Sequence, residues 1–551
     1  MRIFMNGLCR YDMGESRRIR CYEWRRTLVA AVVAAAVLLC ARAGIQAWAG
    51  YAVSGVLGRC IAGTGAGVYV GDVDRVELDM NEGSVSLFGT TIRTVRRHGA
   101  KTGPVPVVDV AVDRITLSGI GFGRGRAGAP DSIDIGRVEI EGPTVRYEGV
   151  RNAIHPAGGA DGRMPLLSIG SVSVADASLR LGAWIRDRKS VLSADGATFS
   201  AAFVHSAADT ALSAAAMLRL LSELSVSADC LSCTVKGGAM AIEADSLEFD
   251  MAREQLSAGR LALLPQYGKE EYALRVGDRT DWVSLDVRGV ECTGVRLPHV
   301  ADRGELFSVD SVSVAAVYIE AYKDRNRLQT DNITETLYET IWRIPVGIEI
   351  PAISVEDIDI RYEEISAGRD VAGVITFDDM SAQVHGFTNR PVQEGQMYLI
   401  HAAGQMMGRV DIDVELSLPV AAGDDRFTLS AYMGSMPAPT ASPVTEPIAS
   451  VAIVSGWMHS ATVEIEGTSA RAESAVCLVY DDLRINLLHG GDPQQPMQML
   501  SGLANDALLR GDNPSEDGLR VGYGTYERDC HKSFWNYIWK TSFAGVMDLL
   551  L

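Results

Sequence analysis

The chain has 551 residues and carries 51 basic against 70 acidic side chains, which gives a formal net charge of −19. Its hydrophobic fraction of 47% is that of a folded protein and excludes a wholly disordered chain. An acidic body repels phosphate backbones, so we expect no nucleic-acid partner. The charge is uneven, however, because seven arginines precede Thr27 and make residues 1–26 a basic tail.

An apolar segment follows this tail. Every residue from Thr27 to Ala41 is apolar or small, and a second apolar stretch follows Arg42. A helix that spans a bilayer needs roughly 20 residues, so we predict a transmembrane anchor over residues 27–50. Arginine-rich flanks stay in the cytoplasm, which places the body on the other side of the membrane. A cleaved signal peptide is the alternative, since Ala41-Arg42-Ala43 resembles a cleavage site.

Beyond the anchor the dominant pattern is the alternation of apolar and polar residues. From Val410 to Leu418, aliphatic residues alternate with Asp411, Asp413, Glu415 and a serine, as is typical of a strand with one buried and one solvated face. The predicted fold class is mainly β: an elongated, repetitive, twisted β-sheet or groove with one N-terminal transmembrane helix and a few short helices.

The predicted organisation has five parts. They are a basic cytoplasmic tail (1–26), the transmembrane anchor (27–50), an N-terminal repetitive β region (60–343) with a helical insertion near 207–224, a C-terminal β region (344–490) and a partly helical C-terminal tail (491–551). Two further short helices are predicted at 332–342 and 497–509, and loops at 151–163 and 436–447. For the apolar segment 533–551 the alternatives are a helix docked on the sheet, an amphipathic helix facing a membrane or partner, and a second span.

A second pattern is a recurring spacing of apolar residues, with steps of 2, 3, 2, 5 and 2 residues. Full copies are Ile133, Ile135, Val138, Ile140, Val145, Tyr147; Leu167, Ile169, Val172, Val174, Leu179, Leu181; and Ile348, Ile350, Ile353, Val355, Ile360, Tyr362. Partial copies are Val110, Val112, Ile115, Leu117, Phe122; and Phe307, Val309, Val312, Val314, Ile319. A step of three reverses the facing of a strand once, so we predict a bulge or bend there. The copies indicate one unit, used repeatedly, that stacks into a sheet.

The sequence offers little that is typical of catalysis. A GxGxxG spacing at Gly123, Gly125 and Gly128 lacks a following helical pattern, which favours a hairpin loop over a nucleotide site. Cys230 and Cys233 have the spacing of a metal or redox pair, of a local disulfide, or of two ordinary thiols.

Acidic pairs such as Asp378-Asp379 and Glu363-Glu364 cannot converge, because neighbours on a strand point to opposite faces. We therefore expect no enzyme, no catalytic residues, no metal site and no cofactor.

Several later segments resemble a known family. They are Ile348 to Val355 (IEIPAISV), Gly373 to Asn389 (GVITFDDMSAQVHGFTN), Gly404 to Gly408 (GQMMG) and Lys532 to Lys540 (KSFWNYIWK). Together with the repeated strand units and the anchor, these resemble the AsmA-like family of bacterial envelope proteins, which belongs with repeating-β-groove, bridge-like lipid transporters related to TamB. The resemblance covers most of the chain and is strongest from Ile344 onward.

The resemblance implies a single-pass inner-membrane protein with a cytoplasmic N-terminus and a periplasmic body. The implied partners are a phospholipid or other acyl lipid, the inner membrane, and an outer-membrane or envelope protein. We expect acyl chains to lie on an apolar stripe formed by Ile133, Ile135, Val138, Ile140, Leu167, Ile169, Val172, Val174, Ile348, Ile350, Ile353, Val355 and Ile360. The alternative functions are a structural scaffold of the cell envelope and an assembly factor for outer-membrane proteins.

Overall fold

A computed structural model gives the fold. It describes residues 69–79, 82–94, 107–122, 132–149, 166–185, 188–203, 221–276, 281–296, 306–326, 333–344, 346–390, 395–420, 425–489, 497–505, 509–515 and 518–551. The chain is mainly β, as predicted, with 22 strands among these residues. It divides into two compact units, an N-terminal unit that ends at Gly259 and a C-terminal unit that begins at Arg260.

The N-terminal unit contains nine strands among its described residues. These are β1 (Tyr69–Asp79), β2 (Ser84–Thr94), β3 (Val107–Phe122), β4 (Ser132–Glu141), β5 (Thr144–Glu148), β6 (Leu166–Ile185), β7 (Arg188–Phe203), β8 (Leu221–Val235) and β9 (Met240–Asp250). The next strand, β10 (Gln255–Pro265), crosses the boundary between the units.

The C-terminal unit contains the remaining strands and the described helices. The strands are β11 (Trp282–Thr293), β12 (Leu306–Ser308), β13 (Ser311–Asp324), β14 (Gly347–Ile365), β15 (Ala372–Thr388), β16 (Met397–Met406), β17 (Val410–Pro419), β18 (Phe427–Met433), β19 (Met436–Pro437), β20 (Val451–Gly467), β21 (Arg471–Leu487) and β22 (Gly522–Glu527). The α-helices are α1 (Lys269–Val276), α2 (Leu337–Trp342), α3 (Ser442–Ala449), α4 (Gln498–Leu503) and α5 (Phe534–Leu550), with a 3-10 helix at Ala438–Ala441.

Both units combine antiparallel meanders with one strand that pairs in parallel with two earlier strands. In the N-terminal unit, β4 and β5 both pair in parallel with β6, and the other pairings among β1 to β9 are antiparallel. In the C-terminal unit, β12 and β13 pair in parallel with β14, and from β14 onward the pairings are antiparallel. Parallel neighbours require a crossover connection, and the connection between β13 and β14 contains α2.

A hydrophobic core of the C-terminal unit lies under α2 and α5. It is built from Tyr338, Tyr398, Leu416, Leu418, Phe427, Ile465, Val476, Phe534 and Tyr537. The ring of Phe427 stands edge-on to Phe534 and Tyr537, with centroid separations of 5.1 and 5.9 Å. Such pairs add to the area that they bury, so the two helices seal this end of the sheet.

The helix predictions have mixed outcomes. The predicted helices at 332–342 and 497–509 correspond to the shorter α2 and α4, and the C-terminal segment is a helix docked on the sheet. The predicted loop at 436–447 is wrong, because this segment forms β19, the 3-10 helix and most of α3. Proline is compatible with the first turn of a helix, where its missing N–H costs nothing.

Several predictions lie outside the described residues. These are the tail, the anchor at 27–50, the GxGxxG segment, the loop at 151–163 and the predicted helix at 207–224 up to residue 220; its last four residues begin β8. Among the described residues, no helix has the length and hydropathy that crossing a membrane requires.

Candidate functional site

In the N-terminal unit, the first two full copies of the repeat are hydrogen-bonded neighbours. The parallel pairing of β4 and β5 with β6 joins Ile133 to Leu167, and each later position of the first copy to the equivalent position of the second. The matched pairs that follow are Ile135 with Ile169, Val138 with Val172, Ile140 with Val174, Val145 with Leu179, and Tyr147 with Leu181. The sequence repeat therefore marks the register of this parallel pairing, because equivalent positions of the two copies lie opposite each other.

The third copy is arranged in the same way in the C-terminal unit. Its partner is the partial copy on β12 and β13, which runs parallel to β14. The pairs are Phe307 with Ile348, Val312 with Ile353, Val314 with Val355, and Ile319 with Ile360. In both units, therefore, strands that carry the repeat spacing pair in parallel with equivalent positions opposite each other.

The bulge predicted at the step of three does not appear as a register shift in the pairings of β4 with β3 or of β14 with β15. Beside the step of three, the neighbouring strand carries a glycine with positive φ: Gly119 beside β4, with φ 66°, and Gly386 beside β14, with φ 72°. The register shifts instead fall within the step of five, between Val355 and Ile360 in β14 and between Val174 and Leu179 in β6. Two odd steps reverse the facing twice, so both halves of each unit keep their apolar residues on one face.

The apolar stripe is not sealed. Its residues on β6 and β14 whose side chains are described are half-buried, as are Val138 and Ile140 on β4. Ile135 is the exception, with 3% of its surface exposed. The backbones of Ile133 and Leu167 join the ladder, but their side chains lie outside the described part. On β3, by contrast, the partial copy is buried, for example at Ile115 and Leu117.

In the C-terminal unit, the half-buried stripe continues into the sealed core on the same face. Ile353 pairs with Val384 of β15, and Val384 pairs in turn with Ile400 of β16. Ile350 pairs with Phe387, whose ring lies 5.7 Å from that of Tyr398. Val384, Phe387 and Ile400 all pack against the core under α2 and α5. One face of this unit is therefore covered at one end and half-buried along β14, whereas Val309 and Val314 of the neighbouring copy are buried.

The opposite face of β14 is polar. Glu349, Ser354 and Glu356 are exposed on it. Because these side chains alternate with the stripe residues, a single strand presents an apolar face and a hydrated face.

A buried polar cluster ends the stripe on β14. The Tyr362 hydroxyl donates to Glu364 Oε2 at 2.6 Å, and Arg325 Nε lies 2.7 Å from Glu364 Oε1. Burial, followed by the Glu364 charge, raises the pKa of Tyr362, which therefore stays a neutral donor. A buried ionised carboxylate needs such partners.

The adjacent carboxylate points the other way, as predicted. Glu363 contacts Lys269 of α1 at 2.7 Å, and Lys269 lies equally close to Glu320. Burial opposes ionisation of Glu363, but hydrogen bonds from Lys269 and Arg361 outweigh it and lower the pKa of this carboxyl. The two neighbouring acids thus serve separate ion pairs.

Two groups of described residues bring metal-type ligand atoms together. One comprises Asp357, Asp359 and Asp379, whose ligand atoms all lie within 4.8 Å of one another beside the step of five; the other is the consecutive run Asp529, Cys530 and His531. The aspartate trio is partly exposed and could hold a hard cation such as Ca²⁺ through its oxygens. Exposed acidic groups commonly cluster without an ion.

The two CxxC cysteines are free thiols. Cys230 and Cys233 lie on β8, and burial raises the pKa of both. Protonated thiols are poor nucleophiles and poor metal ligands.

Sequence reasoning missed the strands that extend the apolar face beyond the copies. Val174 pairs with Phe199 of β7, which pairs with Val226 of β8, and Val226 pairs with Phe249 of β9. These antiparallel strands alternate but do not carry the spacing of the repeat. These strands are identified by their cross-strand pairs, and the sequence of a single strand does not specify its pairing partner.

Neither a protein-family model nor a curated protein matches this chain. The resemblance to the AsmA-like family therefore remains a prediction.

Proposed function

We propose that this protein shields the acyl chains of lipids on the apolar stripe and thereby contributes to lipid transport or to outer-membrane homeostasis. In this proposal residues 27–50 anchor the chain in the inner membrane of a bacterium, the N-terminus is cytoplasmic and the body is periplasmic. The partners are a phospholipid or other acyl lipid and an envelope protein at the far membrane. No reaction is catalysed.

The observation that carries the proposal is the in-register stripe of aliphatic residues that is half-buried on β6 and β14. Aliphatic surface left in contact with water is unfavourable by about 25 cal/mol per Å², and each methylene removed from water contributes about 0.8 kcal/mol. An acyl chain on the stripe would gain this energy, while its headgroup stays hydrated. Since each position of one copy pairs with the same position of the next, successive sites are chemically alike, and a lipid could move between them without being trapped.

The resemblance to the AsmA-like family supports the location and the substrate class. It rests on the segments around Ile348 to Val355 and on the C-terminal aromatic segment. The acidic body also argues against a nucleic-acid partner.

Site-specific photo-crosslinking in the full-length chain tests the proposal. A photoreactive residue at Ile353 should crosslink to phospholipid, and one at the neighbouring Ser354, on the polar face, should not. Ile353→Asp should lower the amount of crosslinking from a probe at Ile350 several-fold, because a carboxylate on the stripe opposes apolar contact. Ser354→Asp is the matched control and should leave it unchanged. Equal crosslinking from Ile353 and Ser354 would overturn the proposal.

The alternative of a structural scaffold is favoured by one observation, the sealed core of the C-terminal unit under α2 and α5. A scaffold predicts that crosslinks from Ile353 join protein to protein. Absence of lipid adducts together with such protein adducts would select it.

A further inference from the structure

The C-terminal helix α5 has two apolar faces. The docked face carries Phe534, Tyr537, Thr541, Gly545 and Leu549, which are buried against the sheet. Gly545 lies so close to β21 that an added Cβ would stand 2.6 Å from Val476 Cγ2. This face is fully used by the fold.

The other face remains on the surface. Trp535, Trp539, Phe543 and Met547 follow one another at intervals of four residues and form an outer ridge along α5. Trp535 is 59% exposed and Trp539 46%. The Trp539 and Phe543 rings stack at 6.1 Å. Large aromatic side chains left in water at consecutive turns indicate a partner surface.

A further exposed aromatic residue lies on β22 but faces away from the helix, because the positions on either side of it, Gly522 and Gly524, face α5. Tyr523, at the start of β22, is 68% exposed. The Tyr523 backbone N–H donates to Asp548 Oδ2 at 2.9 Å, which fixes the strand beside the end of α5. Leu519 and Leu551 are also exposed.

The charge near the ridge differs from that of the chain. From Arg528 to the C-terminus there are three basic and two acidic side chains, whereas the chain as a whole carries −19. The Arg528 side chain is only 7% exposed and lies beside Glu339, so Lys532 and Lys540 are the more accessible cations of this segment. Asp548 accepts the hydrogen bond from Tyr523. The ammonium of Lys540 lies 5.9 Å from the Phe543 ring centroid, within the ridge.

This composition fits a lipid headgroup layer better than a second copy. A helix of 17 residues is about 25 Å long, so a ridge about 10 Å wide offers roughly 250 Å² per chain. Two such ridges would bury roughly 500 Å², well below the ~1,200 Å² of a stable protein interface. An interfacial helix needs only an apolar ridge with flanking cations, and indole rings prefer the headgroup boundary.

We infer that the outer ridge of α5 docks onto a phospholipid bilayer that contains anionic lipid, with Trp535 and Trp539 inserted at the headgroup boundary and Lys540 beside lipid phosphates. This inference does not require the apolar stripe to bind acyl chains, and it is tested at different residues.

The test uses the full-length chain with vesicles of phosphatidylcholine and a minority of phosphatidylglycerol, all containing brominated lipid, which quenches nearby tryptophans. The fluorescence of wild type is compared with that of the double variant Trp535→Phe/Trp539→Phe, which keeps the ridge apolar but removes its fluorophores. The emission lost in this variant should be the strongly quenched part. The matched control is Trp457→Phe, a 44% exposed tryptophan on β20, whose emission should not be quenched.

A second variant tests the attachment itself. Trp535→Gln changes only an exposed position, so it should fold, and the quenching of the remaining ridge tryptophan, Trp539, by brominated lipid should fall several-fold. If the emission of Trp535 and Trp539 is unaffected by brominated lipid, the inference is wrong. A concentration-dependent dimer that shields them instead would equally overturn it.

Discussion

The contact between α5 and β22 depends on glycine, and replacing Gly524 by alanine should loosen it. A Cβ added at Gly524 would lie 2.6 Å from Ser474 Oγ and 2.8 Å from the Thr541 carbonyl oxygen, and it would also meet the Gly545 backbone nitrogen. Real Cβ atoms do not approach backbone this closely, so helix and strand must separate. Overpacking of this kind costs about 1–3 kcal/mol.

The consequence can be measured locally. Because α5 opens together with its docking contact, backbone amides in α5 should exchange with solvent about 5- to 150-fold faster, which is 1–3 kcal/mol converted at 1.4 kcal/mol per tenfold. Hydrogen–deuterium exchange read by mass spectrometry on peptides from α5 measures this. Peptides from β1 to β3, in the other unit, provide an internal reference.

Gly268→Ala is the matched control. No atom lies within 4 Å of a Cβ added there, so exchange in α5 should match that of wild type. If Gly524→Ala exchanges at the wild-type rate, close glycine packing does not hold α5, and the account of the sealed core is wrong.

Two further predictions concern polar groups in the C-terminal unit. The Tyr398 hydroxyl is buried and has no hydrogen-bond partner within the described structure, so Tyr398→Phe should leave the melting temperature unchanged or raise it. The comparison variant is Tyr537→Phe, which removes a donor to the Thr468 carbonyl at 3.3 Å. It should lower the melting temperature by an amount equivalent to about 1 kcal/mol of stability. A drop for Tyr398→Phe as large as that for Tyr537→Phe would contradict the first prediction. The Ser469 hydroxyl and N–H both donate to Asp425 Oδ2, at 2.6 and 3.0 Å, and the hydroxyl is the main cause of the lowered pKa of Asp425. A carboxyl whose pKa is lowered by folding stabilises the protein above its unfolded pKa, about 4, and loses this contribution as the pH falls. The melting temperature of Asp425→Asn should therefore lie below that of wild type at neutral pH and approach it near pH ~3. A difference in melting temperature that stays constant with pH would refute the assignment.

Much of the sheet could be predicted from the sequence because alternation is a local property. The strand from Val410 to Leu418 lies within β17, and the repeat copies lie on β3 to β6 and β12 to β14. The parallel register between copies could not be derived, since the spacing of one strand does not state its partner. The structure gives this register, for example by placing Ile353 opposite Val312.

Other parts depended on close contacts that composition does not encode. Segment 533–551 is apolar on both faces, so the docked side of α5 could not be chosen from hydropathy. Gly522, Gly524 and Gly545 decide it, because only glycine allows helix and strand to approach this closely. For the stripe, the sequence located aliphatic residues correctly on strands, but their exposure follows from what packs above them.

The pairing of a repeat unit with a copy of itself has a consequence for how a longer sheet could evolve. Since each position of a copy bonds to the same position of the next, an inserted copy would meet a template that already matches it. Every strand gained in this way would widen the sheet by about 4.8 Å, and the ladder that it interrupts could re-form on both sides of it in the same register. Tandem duplication is therefore a short evolutionary route to longer members, and to engineered ones of chosen reach.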